Sequence, residues 1–174
     1  MDDEQLLRRV ARADRAAFDE LYRRTSPWLA VRLRRRCADD GLVAEVLQDT
    51  YLAVWRAAGS FAGVDGTAAG WLWTIAARRL VDALRHRARR PEVPSDALPV
   101  RGVPAAEDEA LAGTVGDEVG TALSRLAPEL REVLRAMVLD GLTVRETSVL
   151  LGLPEGTVKS RARRARSALR EALS

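Results

Sequence analysis

A chain of 174 residues that is 47% hydrophobic and 30% charged can fold around a core, as one large domain or two small ones. Its net charge is +3, no apolar run approaches the roughly 18 residues of a membrane span, and the N-terminus lacks the apolar centre of a signal peptide. One cysteine, Cys37, and one histidine, His86, exclude an internal disulfide and an ordinary Cys/His zinc site. We therefore expect a cytoplasmic, non-enzymatic protein with no catalytic residues, metal, cofactor or small-molecule substrate.

The charges are distributed unevenly along the chain. Residues 1–90 carry 17 basic and 12 acidic side chains, residues 91–118 carry 1 and 7, and residues 119–174 carry 10 and 6. Four prolines exclude a continuous helix from the acidic segment: Pro91, Pro94, Pro99 and Pro104. This pattern predicts two domains, 1–90 and 118–174, joined by a flexible acidic linker of residues 91–117. Two basic modules are typical of a nucleic-acid-binding protein, although solvated surfaces also produce such charges.

Outside the linker the sequence pattern is helical, and no period-2 strand of useful length is present. The predicted helices cover residues 2–12, 15–36, 40–58, 68–90, 107–126, 128–140, 143–151 and 155–172. Pro27 either starts a new helix within the second span or kinks one long helix. Gly113, Gly116 and Gly120 weaken the fifth span. The predicted fold class is all-α, with two small helical domains.

The fourth predicted helix has two distinct sides. Its broad apolar face consists of Leu72, Trp73, Ala76, Ala77, Leu80, Ala83 and Leu84. Trp71, Arg78, Asp82 and Arg85 fall on the other side. A tryptophan exposed beside arginines is unusual for a merely solvated surface. It is suited to stacking on unpaired bases while the cations contact the nucleic-acid backbone.

A helix-turn-helix is predicted near the C-terminus. Thr143 and Glu146 have the spacing of a capping box, which starts a short helix. Gly152 is placed to end that helix in the left-handed conformation, and Pro154 stands at the beginning of the next. A short helix, a tight glycine turn and a longer helix define the motif.

The second helix of this motif is narrowly amphipathic. Its apolar stripe has the spacing i, i+4, i+7, i+11 and consists of Val158, Ala162, Ala165 and Leu169. The opposite side carries Lys159, Ser160, Arg163, Arg164, Arg166 and Ser167. Arginine and lysine neutralise phosphates, and arginine also pairs bidentately with guanine in the major groove. The pattern favours a DNA-recognition helix over a solvated helix without a ligand.

Residues 142–173, LTVRETSVLLGLPEGTVKSRARRARSALREAL, resemble region 4.2 of the extracytoplasmic-function (ECF) sigma factors, which are bacterial transcription initiation factors. In that family the helix enters the major groove of the minus-35 promoter element. The resemblance implies base and phosphate contacts by Lys159, Ser160, Arg163 and Arg164, with Thr157 touching the DNA backbone. This chain departs from the family where Thr147 and Ser148 replace an aliphatic residue and an alanine, which is expected to soften the packing of the first helix.

Residues 46–61, VLQDTYLAVWRAAGSF, resemble the family's region 2.2, which docks on a coiled coil of the polymerase β′ subunit. Gln48 and Asp49 are therefore candidate polymerase contacts. Trp55 is a third, although an aromatic one turn from Tyr51 is more often part of a core.

The motif W-L-x-x-I-A-x-R, from Trp71 to Arg78, resembles regions 2.3 and 2.4, which open and read the minus-10 element. The resemblance assigns this role to Trp71, Arg78 and Arg85. The preceding glycine-bearing loop, residues 60–69, holds a flipped base in the family. Asp65 and Thr67 are its candidate polar contacts, although nothing in the sequence singles them out.

The resemblance covers residues 5–173. In the family, the linker between the two domains threads the polymerase cleft, although an ordinary flexible tether would have the same composition. It implies three partners: core RNA polymerase through its β′ coiled coil and β subunit, promoter DNA, and a cognate anti-sigma factor, often membrane-anchored. The function implied is direction of polymerase to promoters. The alternatives are an autonomous helix-turn-helix repressor or activator and a helical adaptor that binds no DNA. A repressor usually dimerises, and this chain has no obvious heptad seam.

Overall fold

The computed structural model describes residues 1–63, 67–90 and 117–174. The chain divides into two compact units, Met1–Pro99 and Val100–Ser174, each with its own core. All regular structure in the described ranges is helical, which confirms the predicted all-α class.

Over its described residues, the first unit contains four α-helices and a 3₁₀-helix. They are α1 (Asp3–Val10), α2 (Arg15–Arg36), α3 (Asp40–Ala57), the 3₁₀-helix (Ala58–Gly63) and α4 (Ala68–Ala88). Each α-helix begins after a short polar residue whose side chain accepts a hydrogen bond from the amide three positions later: Asp2, Asp14, Asp39 and Thr67. Such caps satisfy amides that have no partner within the helix, so they fix where each helix begins.

The long helix α2 continues through Pro27 and does not restart there. Leu21, Leu29 and Leu33 are fully buried, so the apolar face is packed on both sides of the proline. Burial of that face offsets the roughly 3 kcal/mol that an interior proline costs a helix.

The glycine-bearing loop predicted at residues 60–69 is shorter than expected. Residues 60–63 belong to the 3₁₀-helix, and α4 already begins at Ala68. Phe61, which is 6% exposed, packs into the core of the unit, and this burial keeps the chain helical beyond α3. The backbone amide of Ala68 also donates to the Glu4 carboxylate of α1 at 3.0 Å, which fixes the start of α4.

The apolar face predicted for α4 lies in the core, where Leu72, Ala76 and Leu80 have no exposed surface. Val81 is also fully buried, although it was not predicted to be, and Ala83 is half-buried. Trp73 is 1% exposed, and the Arg32 guanidinium of α2 lies 4.4 Å from the centroid of its ring. This cation–π contact fastens α2 to α4.

The second unit contains four α-helices within its described residues. They are α5 (Asp117–Ser124), α6 (Pro128–Val138), α7 (Val144–Leu151) and α8 (Glu155–Leu173). The helix predicted at 107–126 is described only from Asp117, and residues 91–116 of the predicted linker lie outside the described residues.

The turn between α5 and α6 is held by one guanidinium group. Arg131 of α6 donates to the carbonyl oxygens of Leu123, Ser124 and Leu126 at 3.1, 2.7 and 3.0 Å. The carbonyls of Leu123 and Ser124 lie in the last turn of α5, where they lack partners within the helix, and that of Leu126 lies in the turn that follows. Arg131 therefore caps α5 and joins it to α6.

The helix-turn-helix prediction is confirmed in its local geometry. Thr143 and Glu146 form the predicted capping box, and Gly152 ends α7 with φ 63° in the left-handed region. Glycine suits this position because it has no side chain to strain. The Ser148 hydroxyl donates to the Leu153 carbonyl at 2.5 Å, which secures the turn.

The departure at Thr147 has a visible structural effect. Thr147 is completely buried, and its hydroxyl has no hydrogen-bond partner among the described residues. An aliphatic side chain would carry no such desolvated group. Ser148, in contrast, uses its hydroxyl in the turn.

Candidate nucleic-acid and polymerase interfaces

The helix α8 presents a continuous basic face in the second unit. Its apolar stripe is buried at Val158, Ala162 and Ala165, as predicted, and packs on α6 and α7. The side chains of Lys159, Arg163 and Arg164 are exposed on other sides of the helix. No acidic residue lies between Glu155 and Glu171, so within the helix the positive charge of this face is opposed only near the two ends.

The two small polar candidates on α8 are partly covered. Thr157 and Ser160 are half-buried, and the Ser160 hydroxyl donates to the Thr157 carbonyl at 3.1 Å. That hydrogen bond occupies the Ser160 proton and leaves the hydroxyl oxygen able to accept. The structure thus brings all five predicted minus-35 candidates into the first half of α8.

The minus-10 candidates on α4 differ in exposure. Trp71 was expected to be exposed, but it is half-buried and packs edge-on against Phe61, with ring centroids 5.6 Å apart. The 3₁₀-helix supplies Phe61, and helical periodicity gives no hint of that contact. Arg78 is exposed, and Arg85 is half-buried with Nη1 4.0 Å from the Asp82 carboxylate.

Of the two residues predicted to contact a flipped base from the loop, only Thr67 is described. The Thr67 hydroxyl accepts a hydrogen bond from the Gly70 amide at 3.1 Å, so Thr67 caps α4. Asp65 lies outside the described residues.

The polymerase candidates lie on α3. Gln48 and Asp49 are exposed on the same side of the helix. Trp55 is half-buried and packs against the core, with its ring edge-on to Phe18 at 5.2 Å. Trp55 thus contributes to the core, and Gln48 and Asp49 are the accessible polymerase candidates on α3.

Sequence reasoning missed two neighbours of Asp49. Glu45 is exposed one turn before it, and Leu52, which is 49% exposed, lies three positions after it. Spacings of i±3 and i±4 from Asp49 would have found both. An open groove of about 530 Å³ between α3 and α4 is lined by Glu45 and Asp49 on one side and by Arg79 and His86 on the other.

The described residues contain no group of three side chains suited to hold a metal ion. Cys37 is 1% exposed, and burial raises the pKa of its thiol, as fits the small core residue that was expected. None of the described helices is long and apolar enough to cross a membrane.

Both units of the chain match known protein families. Residues 21–90 match the family described as Sigma-70 region 2, and residues 116–169 match Sigma-70, region 4. The ECF RNA polymerase sigma factor SigM of Mycobacterium tuberculosis (strain ATCC 25618 / H37Rv) is 37% identical over 170 residues, which cover 96% of this chain and 82% of SigM. The chain belongs to the ECF RNA polymerase sigma factors.

A second relative of this sigma factor is the ECF RNA polymerase sigma factor SigK of Mycobacterium bovis (strain BCG / Pasteur 1173P2). It is 37% identical over 177 residues, which cover 99% of this chain and 94% of SigK. The solved structure of CnrH in complex with the cytosolic domain of CnrY is 26% identical and covers 98% of this chain and 96% of that one. The TM-score of this match is 0.45.

Membership in this family fixes the general function. The protein is a bacterial transcription initiation factor that binds core RNA polymerase and directs it to promoters, and it is not an enzyme. The alternative of an autonomous repressor is rejected, because it does not explain why residues 21–90 match Sigma-70 region 2.

Proposed function

We propose that this sigma factor uses three separate surfaces, two to contact promoter DNA and one to bind core RNA polymerase. The basic face of α8 reads the minus-35 element, the arginine-bearing side of α4 engages the minus-10 element, and the exposed acidic side of α3 docks on the β′ coiled coil of the polymerase. The first domain would then be residues 1–90 and the promoter-reading domain residues 118–174.

The observation that carries this proposal is the two-sided character of α8. Val158, Ala162 and Ala165 fix one side of the helix in the core, which turns Arg163 and Arg164 outward. Arginine at such positions pairs with phosphates and with guanine edges, and a helix is the element that fits the major groove.

The role of α4 depends on an aromatic ring that is partly anchored. Packing on Phe61 limits the motion of Trp71 while part of its surface stays accessible. A ring that is already held loses less conformational entropy when a base stacks on it. Arg78 and Arg85 supply positive charge on the same side of the helix.

The role of α3 depends on accessible negative charge. Asp49 and Glu45 present two carboxylates one turn apart, and Gln48 and Leu52 lie next to them. A basic partner surface would be attracted to this side, and Leu52 would supply apolar contact.

Two further parts of the proposal concern regulation and location. The resemblance of the sequence implies a cognate anti-sigma factor, and a protein that covers the exposed side of α3 would block polymerase docking. We infer a cytoplasmic location, with retention at the membrane only through such a partner.

The test of promoter reading is run-off transcription from genomic fragments with core polymerase. On a fragment whose transcript depends on this protein, scrambling the minus-35 element should sharply reduce wild-type transcription. The double variant R163A/R164A should transcribe the intact fragment weakly and lose little more when the element is scrambled. If scrambling reduced transcription by the same factor for both proteins, α8 would not be reading that element.

The matched control removes two other exposed arginines. R8A/R12A changes the net charge by the same amount but alters α1 and the turn after it. This variant should keep the wild-type response to scrambling, which separates loss of a specific contact from a general loss of positive charge.

A further inference from the structure

Gly156 is a glycine that the fold does not require. It is the second residue of α8, and its φ is not in the left-handed region where glycine is favoured. A Cβ atom built at this position meets nothing within 4 Å. Since glycine is a poor helix former, alanine here would be expected to stabilise the second unit.

The position of Gly156 points to a reason outside the chain. Gly156, Ser160 and Arg163 have the spacing i, i+4, i+7 and therefore share one side of α8, away from the buried Val158 and Ala162. Gly156 is exposed on that side. Lys159 and Arg164, both exposed, flank the same strip.

We propose that Gly156 is a positioning residue for promoter DNA, at which the sugar–phosphate backbone approaches α8 closely enough that a side chain would hold the helix away. This rests on the proposed role of α8 as the promoter reader. The glycine makes no base contact itself. Its lack of a side chain allows Lys159, Ser160 and Arg163 to reach the DNA, because a displacement of about 1–2 Å breaks hydrogen bonds of ordinary length.

Substitution of Gly156 should change thermal stability and promoter affinity in opposite directions. Gly156→Ala should raise the midpoint of thermal unfolding by a few degrees and should weaken promoter binding by about fivefold or more. Gly156→Val should weaken promoter binding further, because valine is larger than alanine. It should stabilise the fold less than Gly156→Ala does, because valine is a poorer helix former. Binding loss that follows side-chain size and not stability is the signature of steric exclusion.

The experiment uses the full chain assembled with core polymerase. The probe is the promoter fragment that gives the strongest transcript dependent on this protein, and binding is measured by fluorescence anisotropy over a range of salt concentrations. Unfolding of the free chain is followed by circular dichroism. Gly59→Ala is the matched control, because Gly59 is exposed, lies in the 3₁₀-helix and also has nothing within 4 Å of a built Cβ.

The outcomes distinguish the two proposals. Wild-type promoter affinity in G156A, with R163A/R164A impaired, would overturn the role of Gly156 and keep that of α8. Unchanged affinity in both variants would remove the promoter-reading role of α8 as well. A loss in G156A accompanied by a lower unfolding midpoint would also count against steric exclusion, because a structural defect would then explain it. If no fragment gives a dependent transcript, the proposed promoter-reading function fails, and the role of Gly156, which rests on it, fails with it.

Discussion

The buried hydroxyl of Thr147 is a local cost in the second unit. It is desolvated without a hydrogen bond in return, and its methyl group alone contributes to the packing of α7. We expect Thr147→Val to increase the free energy of unfolding of this unit by about 1 kcal/mol. The measurement is urea denaturation followed by far-ultraviolet circular dichroism.

The same substitution at Thr25 should have the opposite sign. Thr25 is 1% exposed, and its hydroxyl donates to the Leu21 carbonyl at 2.7 Å and lies 2.6 Å from the Tyr51 hydroxyl. Thr25→Val leaves the Tyr51 hydroxyl buried without this partner, at a cost of about 1–3 kcal/mol. If both variants were destabilised equally, the hydroxyl of Thr147 would have a partner after all.

Asp39 combines a helix cap with an ion pair. Its carboxylate accepts from the Leu42 amide at 2.9 Å and pairs with Arg87 of α4 at 2.6 Å. The amide hydrogen bond first, and Arg87 second, lower the pKa of Asp39 below its ordinary value of 3.8. A lowered folded-state pKa means that this stabilisation is complete above the unfolded-state pKa and is lost as pH falls through the folded-state value.

Two substitutions at Asp39 separate these contributions. Near neutral pH, Asp39→Ala should destabilise the first unit by about 1–2 kcal/mol, and Asp39→Asn by less, because asparagine still caps a helix. The difference between wild type and Asp39→Asn should shrink as pH falls below 3.8. Tryptophan fluorescence during urea denaturation reports on this unit, since the four tryptophans all lie within residues 1–90. A difference that stayed constant with pH would mean that the charge of Asp39 contributes nothing.

At the level of the helix, the salt dependence of binding distinguishes the two kinds of contact that we propose for the arginines of α8, with phosphates and with bases. Arginines that contact phosphates contribute to the salt dependence of binding, at a slope of roughly 0.9 per phosphate neutralised. We expect R163A/R164A to weaken promoter binding by at least about tenfold and to reduce the salt slope by about 1–2. Measuring promoter affinity of the assembled polymerase across salt concentrations tests both. A weaker affinity with an unchanged slope would indicate base contacts without phosphate contacts.

Sequence periodicity predicted the described helices and most of their buried faces, but it missed the burial of Val81 and the partial burial of Trp71. Amphipathic spacing, the capping box at Thr143 and the glycine turn at Gly152 are local signals, so the helix-turn-helix was predicted closely. Long-range contacts were not accessible in this way. The hydrogen bond from Ala68 to Glu4 and the packing of Trp71 on Phe61 join residues whose relation depends on tertiary structure.

Pro27 is another position at which local sequence signals did not determine the structure. A proline predicts a break or a kink from local geometry alone, and both alternatives were open in the sequence. The continuity of α2 follows from the leucines packed before and after the proline, which are visible only once the neighbouring helices are in place.

At the scale of the whole molecule, polymerase binding and promoter reading should be separable by mutation. Asp49 is exposed on α3, and reversing its charge should not disturb the core. We expect Asp49→Arg to weaken binding to core polymerase by about tenfold or more, because an arginine there would repel the basic partner surface that we propose for this side of α3. Affinity of the free chain for duplex DNA should not fall. The measurement is titration of core polymerase with fluorescently labelled protein.

The matched control for this variant is Asp19→Arg, which reverses another exposed carboxylate on α2. Its affinity for core polymerase should equal that of wild type. If Asp19→Arg and Asp49→Arg lost affinity to the same extent, polymerase would be sensing overall charge and not the surface of α3.

The exposed position of Lys159 has a practical consequence for chemical labelling of the protein. It is the one lysine among the 28 basic residues of the chain, and the others are arginines. Apart from the α-amino group, it is therefore the chain's single primary amine, and it is exposed on the side of α8 that we propose faces the promoter. An amine-directed acylating reagent or fluorophore thus attaches at the proposed reading surface without any engineered residue, and bound promoter would shield that amine from modification.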